Sequence, residues 1–190
     1  MEEKTLFTIR LYLTASVTCF VWAFLLWDHF HGGVPSHHLL ANKDLPAISN
    51  WWGAVLLPLL TWYLLYRIQV RISSQNMKTP ESPKHLNNVL SKFFASLLFG
   101  ILLSVFFSLG YPDFSGYLLM ALLPIALLVP IYRAECLLGF VLGMTITFGT
   151  ILPAMIGTIF SLVGAFVYLV LRPGIIYVSS RLKNVASSNN

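Results

Sequence analysis

The sequence predicts an all-α, polytopic integral membrane protein with six transmembrane helices and both termini in the cytoplasm. Of its 190 residues, 57% are apolar and only 10% are charged, and the mean hydropathy is +0.76. A soluble domain carries about 25% charged residues. This composition excludes a soluble enzyme, a disordered chain and a disulfide-rich secreted scaffold. The apolar residues also occur in runs of the length that a bilayer requires.

The runs define the spans because a helix needs about 20 mostly apolar residues to cross about 30 Å of hydrocarbon. The first four predicted spans are residues 6–27, 51–70, 89–109 and 116–132. The run from 136 to 171 is too long for one span. Pro153 lies near its middle, so it is divided into 136–151 and 154–171, with a tight turn between two antiparallel helices.

The distribution of basic residues predicts the orientation. With six spans, only Lys43 falls on the outer side. The inner side holds Lys4, Arg10, Arg67, Arg71, Lys78, Lys84, Lys92, Arg133, Arg172, Arg181 and Lys183. Cytoplasmic loops carry such an excess of Lys and Arg, so we expect a cell or inner membrane protein with cytoplasmic termini. These residues lie in short segments between apolar runs, and they indicate topology rather than a nucleic-acid partner. Residues 73–84 are predicted to be a flexible cytoplasmic linker.

The polar chemistry concentrates in the predicted outward loop, residues 28–50. Four of the five histidines are there: His29, His31, His37 and His38. If the first helix continues one turn past Trp27, Asp28 and His31 share a face. Gly32 and Gly33 permit a sharp reversal, and Ser36 can then cap a short helix carrying His37 and His38.

Imidazole and carboxylate groups together suit a divalent transition metal such as zinc or iron. We therefore predict metal ligands at His29, His31, His37 and His38, with Asp28 and Asp44 as catalytic groups, either as a general base or as further ligands. The spacing does not match HExxH or another standard zinc pattern. Asp44 precedes Leu45 and Pro46, which also suits a cap at the start of the second helix.

Three functions follow from this loop, and the sequence leaves open whether the protein is an enzyme. The first is a membrane metalloenzyme acting on a lipid or small amphiphile. The second is a small oligomeric channel or transporter gated by protonation of the outward histidines, since histidine titrates near neutral pH. The third is a metal- or haem-binding accessory protein. A loop whose histidines merely face water and head groups is the simplest alternative.

Two further patterns concern the interior. Glu135 is the only acid near a span, and we expect it to form a local ion pair with Arg133, or else to serve in a proton relay. Small residues at four-residue spacing permit close approach of helices. They are Gly139 and Gly143 in the fifth span, and Gly157, Ser161 and Ala165 in the sixth. These faces serve packing within the bundle or a homo-oligomer, with the lipid bilayer as the other partner.

Overall fold

The fold is a bundle of antiparallel helices, seen in a computed structural model that describes residues 3–34, 36–38, 47–78 and 82–188. The helices are α1 Glu3–Phe30, α2 Gly53–Lys78, α3 Ser82–Ser108, α4 Pro112–Leu128, α5 Ala134–Phe148, α6 Ile151–Phe166 and α7 Arg172–Ser188. Two strands, β1 Ser36–His38 and β2 Ala47–Ser49, form an antiparallel ribbon after α1. A 3₁₀ turn, Asn50–Trp52, leads directly into α2.

The prediction of a helical membrane protein is confirmed. Four helical stretches are long and apolar enough to cross a membrane: Lys4–Phe30, Asn50–Gln75, Lys84–Ser108 and Ile151–Ser180. The helices α4 and α5 are apolar but have only 17 and 15 residues. At 1.5 Å per residue they are about 26 Å and about 23 Å long, somewhat short of the hydrocarbon thickness. Large apolar side chains remain exposed on the outside of the bundle, as they do on a surface that faces lipid.

The closest contact in the bundle is between α3 and α5, and glycine makes it possible. A β-carbon at Gly139 would collide with the Ser96 hydroxyl and the Phe93 carbonyl oxygen of α3. One at Gly143 would lie 2.5 Å from the Leu97 carbonyl oxygen. Lipid tails are as apolar as leucine, so helices associate in a membrane through such close packing rather than through burial of apolar area. The glycine pair of α5 is therefore used inside this chain, and the oligomer predicted through it stays untested.

Contacts between helix ends define two ends of the bundle. Asn50 packs against the turn Gly149–Thr150, and the ring centroids of Phe107 and Phe148 are 4.7 Å apart, with the rings tilted at 59°. We call this the histidine end, because α1 also ends there. The other end joins Arg71 of α2 to Glu135 of α5, and we call it the basic end.

An apolar layer lies between the two ends. It is formed by buried side chains from four helices, packed without a polar partner in the cluster: Val21, Leu25, Ala54, Leu57, Leu103, Phe140, Val141 and Met144. Along α2, Leu57 separates Asn50 at the histidine end from Thr61 and the residues that follow it. The two ends are therefore separate polar environments.

Three local predictions need correction. The predicted short helix carrying His37 and His38 is wrong, because Ser36–His38 is a strand whose backbone pairs with Ala47–Ser49. The linker is shorter than residues 73–84, since α2 reaches Lys78 and α3 begins at Ser82. The sequence Arg172-Pro173-Gly174 also predicts a break after the sixth span, and this prediction is wrong. The π-helical segment Val167–Leu171 joins α6 to α7 in one continuous helical stretch.

The glycine contact predicts an asymmetric response to a single added methyl group. Gly143→Ala places a carbon 2.5 Å from the Leu97 carbonyl oxygen and 3.1 Å from the Gly100 Cα, and backbone cannot move aside cheaply. We expect the free energy of unfolding to fall by about 2 kcal/mol and the Tm to fall by about 5 °C. Thermal unfolding in detergent, measured by circular dichroism, tests this. Gly116→Ala in α4 is the control, because nothing lies within 4 Å of its added carbon. Equal Tm values for the two variants would contradict this account of the α3–α5 contact.

Candidate functional site

The last turn of α1 brings part of the predicted histidine site into view. The helix does extend past Trp27, to Phe30, and Gly32 and Gly33 reverse the chain at φ +130° and +93°. The His31 ring stacks on Trp27 at 3.8 Å, and its Nδ1 lies 2.9 Å from the Trp27 carbonyl oxygen. This nitrogen is therefore engaged by the backbone, which leaves Nε2 as the free nitrogen of the ring.

His29 has different surroundings from His31. Its ring packs edge-on against Phe30 at 5.3 Å and against Trp51 at 5.9 Å. The two histidines thus each rest on an aromatic neighbour, as side chains at a membrane interface do. The structure does not bring them into a shared cluster of ligands: within the described parts of the chain, no group of three or more His, Cys, Asp or Glu side chains is placed to hold a metal.

The rest of the predicted metal site is not open to the same test. His37 and His38 belong to β1, where the backbone register pairs them with Ile48 and Ala47, and their side chains lie outside the described residues. Asp44 also lies outside them. The helical turn before α2 is capped by Ser49, whose hydroxyl accepts from the Trp51 amide at 3.4 Å. Metal binding and the catalytic roles of Asp28 and Asp44 stay predictions from the sequence.

The basic end holds an ion pair that the sequence did not predict. Glu135 is wholly buried, and its Oε1 accepts a hydrogen bond from Arg71 Nη2 at 2.8 Å. The predicted ion pair between Glu135 and Arg133 is therefore wrong. The partner of Glu135 is Arg71 of α2, 64 positions away in the sequence, and not its near neighbour Arg133. The Arg71 side chain is 25% exposed, so it links the buried carboxylate to the edge of the bundle. Lys92 and Arg133 complete a cationic surrounding for this carboxylate.

Arg10 is the second buried charge near this end, one to two turns deeper. It is only 9% exposed, and its guanidinium lies 4.0 Å from the Trp62 ring, 5.1 Å from Phe7 and 5.3 Å from Tyr66. Rings at these distances attract the cation through their electron-rich faces. The ring faces offer no lone pair to the guanidinium, and the buried Arg10 Nε has no hydrogen-bond partner among the residues that the structure describes. The carboxylate that would normally compensate this charge is missing from that set.

A cavity of about 310 Å³ connects these residues between α1, α2, α3 and α5. Its walls are largely aliphatic and aromatic, and its polar lining residues are Arg10, Thr61, Gln69 and Glu135. Each of the four has a buried polar atom with no hydrogen-bond partner in the described chain: Arg10 Nε, Thr61 Oγ1, Gln69 Oε1 and Glu135 Oε2. A buried unsatisfied polar group costs about 1–3 kcal/mol. Four such groups therefore lie beside one cavity, although the surface that faces the cavity is almost entirely apolar.

Sequence reasoning missed this site for a definable reason. In the sequence Arg10 and Arg71 indicate only orientation, and the nearest basic residue to Glu135 is Arg133. Polar positions Thr61 and Gln69 carry no motif. The only signal in the sequence was a charge within an apolar run, Arg10, at a position where orientation alone needs none.

The buried pair predicts unequal effects of removing either partner. Arg71→Gln removes the charged hydrogen-bond donor of a carboxylate with no exposed surface and leaves only the more distant Lys92 and Arg133 to compensate it, so we expect a loss of about 3 kcal/mol in the free energy of unfolding. Glu135→Gln keeps an oxygen acceptor for the partly exposed Arg71, and we expect a loss of about 1 kcal/mol. Unfolding in mixed micelles, followed by tryptophan fluorescence, measures both. The double variant Arg71→Gln/Glu135→Gln should be more stable than Arg71→Gln alone, and a lower stability of the double variant contradicts the pair.

Comparisons with known proteins assign no family. No protein-family model, no curated protein and no solved structure matches this chain. Any function therefore rests on the residues of the chain itself. The cavity at the basic end is the candidate site whose side chains the structure describes.

Proposed function

We propose that this protein binds an anionic amphiphile in the cavity between α1, α2, α3 and α5. One observation carries the proposal: apolar walls and four buried, unpartnered polar side chains occur in the same cavity. The apolar walls suit an acyl or alkyl chain. The volume of about 310 Å³ lies at the lower end of the range of about 300–1,000 Å³ for small-molecule sites, which suits one chain with a compact head.

The charge of the ligand follows from the two cations at the site. Arg71 is already paired with Glu135, so the two contribute no net charge. Arg10 has aromatic neighbours but no carboxylate partner within the described residues, and it leaves the cavity with one uncompensated positive charge. An intramembrane cation of this kind is expensive without a function. A carboxylate or phosphate head would receive hydrogen bonds from the guanidinium edge, which the rings do not occupy.

The cavity gives the amphiphile a defined orientation. Its polar lining residues Gln69 and Glu135 lie towards the basic end, and the apolar layer around Leu57 closes the direction of the histidine end. The head then lies among Arg10, Gln69 and Glu135, with the chain along α1 and α3. The metal-dependent chemistry predicted for loop 28–50 would act at the other end of the bundle, so binding of the amphiphile does not require a metal.

We also propose six membrane spans, formed by α1 to α5 and by the continuous helical stretch Ile151–Ser180, with both termini cytoplasmic. The helices α4 and α5 are short, but the Arg71–Glu135 pair holds the start of α5 beside the basic end of α2, and Phe148 at its other end packs on Phe107 of α3. This supports a path of α5 along the whole height of the bundle. The positive-inside rule then supports a cytoplasmic location for the basic end.

Reporter fusions test this topology. Green fluorescent protein reports the cytoplasm and alkaline phosphatase reports the outside. The fusion points are Gly33, Lys78, Gly110, Arg133, Gly149 and Ser188. With six spans the reporters alternate, beginning outside after Gly33. If α4 and α5 do not cross, the fusion after Arg133 has phosphatase activity, and the six-span topology is wrong.

Binding of dodecanoate to the purified protein in nanodiscs tests the proposed function. We expect Arg10→Gln to weaken dodecanoate binding by about tenfold, which corresponds to about 1.4 kcal/mol, because a charged hydrogen bond is lost. Dodecyltrimethylammonium has a similar chain and the opposite charge, and its binding should not fall. Arg67→Gln is the matched control, since Arg67 is exposed and donates to the Tyr63 hydroxyl at 3.1 Å, outside the cavity. Equal losses in the two arginine variants, or no binding by the wild type, would sink the proposal.

A further inference from the structure

Three of the four unpartnered atoms beside the cavity are of two opposite kinds, whereas the Thr61 hydroxyl can both donate and accept. Arg10 Nε is a donor only, whereas Glu135 Oε2 and Gln69 Oε1 are acceptors only. A ligand with a bare anionic head satisfies the first and not the others. It also places a second negative charge in the cavity that the Glu135 carboxylate lines. The head group therefore needs hydrogen-bond donors in addition to an anionic group.

The surroundings of Glu135 leave one of its oxygens for such a ligand. Oε1 is used by Arg71 from α2, and the other charged groups near the carboxylate are Lys92 from α3 and Arg133 from the start of α5. Cys136, the next residue, is the remaining titratable group beside it, and Arg10 of α1 lines the same cavity. None of these donates to Oε2 in the described structure. The oxygen is buried in the empty cavity, so a ligand that bonds to it must also expose it.

Given the proposed amphiphile site, on which this step rests, we infer that the head group of the ligand is a zwitterion with an anionic group for Arg10 and a primary ammonium for Glu135. A primary ammonium carries three N–H donors. One donates to Glu135 Oε2 and another can donate to Gln69 Oε1. The head group itself carries no net charge: its anion pairs with Arg10, and its ammonium joins Arg71 beside the Glu135 carboxylate, so both charges of the head have an opposite charge next to them. A quaternary ammonium has the same charge but no N–H, and it leaves both acceptors unsatisfied.

Three probes with the same alkyl chain separate the contribution of the anionic group from that of the ammonium N–H donors: dodecyl phosphate, dodecylphosphocholine and dodecylphosphoethanolamine. Affinities are measured with the wild-type protein in nanodiscs. We expect the ethanolamine compound to bind about tenfold more tightly than the choline compound, because only its head can donate to the buried oxygens. In Glu135→Gln this ratio should fall towards one. Asp113→Asn, an exposed acid in the first turn of α4 at the other end of the bundle, should keep the wild-type ratio.

The outcomes distinguish this inference from the function on which it rests. Absence of binding by all three probes overturns the proposed amphiphile site itself. Binding of dodecyl phosphate that depends on Arg10, with equal affinities for the ethanolamine and choline heads, leaves the amphiphile site standing and overturns the zwitterion. If Glu135→Gln does not fold, Arg71→Gln/Glu135→Gln removes the pair as a unit and takes its place. A wild-type ratio that persists in that double variant likewise overturns the role of Glu135.

Discussion

The glycine-lined contact between α3 and α5 is the constraint on which the rest of the molecule depends. It lets the two backbones approach so closely that a single β-carbon at Gly139 or Gly143 has no room. This places the start of α5, and with it Glu135, in the interior instead of at the lipid surface. Arg71 can then reach the carboxylate from α2, and the remaining space between α1, α2, α3 and α5 becomes the cavity.

Lipid makes the polar atoms of that cavity informative. In a soluble protein an unpaired hydroxyl or amide often finds a water molecule, but the hydrocarbon region supplies none. A sequence that keeps Arg10 and Gln69 within apolar runs, and buries Glu135 at the edge of one, accepts an energetic cost in the empty protein. The cost is understandable if a ligand removes it. The basic end is therefore a stronger candidate for a binding site than the histidine loop, where His29 and His31 already rest on aromatic neighbours.

Much of the fold could be predicted from the sequence, because span length and apolar composition depend on bilayer thickness alone. The helix past Trp27 and the reversal at Gly32 also followed from local residue types. The strand Ser36–His38 did not, since its partner Ala47–Ser49 lies beyond an intervening loop and three residues have no strong preference of their own. The Arg71–Glu135 pair joins residues 64 positions apart, and only the packing of α2 against α5 brings them together. No periodicity in the sequence records such a contact.

The basic residues that indicate orientation include the cations of the cavity, and the sequence does not distinguish the two roles. Basic residues near helix ends are expected from the positive-inside rule, so counting them treats every arginine alike. Burial separates them. Arg67 is exposed and bonded to a tyrosine hydroxyl one turn away, whereas Arg10 has lost nearly all contact with solvent and has gained only aromatic faces among the described residues. An orientation signal needs only a charge near the membrane surface. A cation that is buried among rings, with no carboxylate partner in the described chain, also needs a compensating charge, and this need is the basis for proposing an anionic head group.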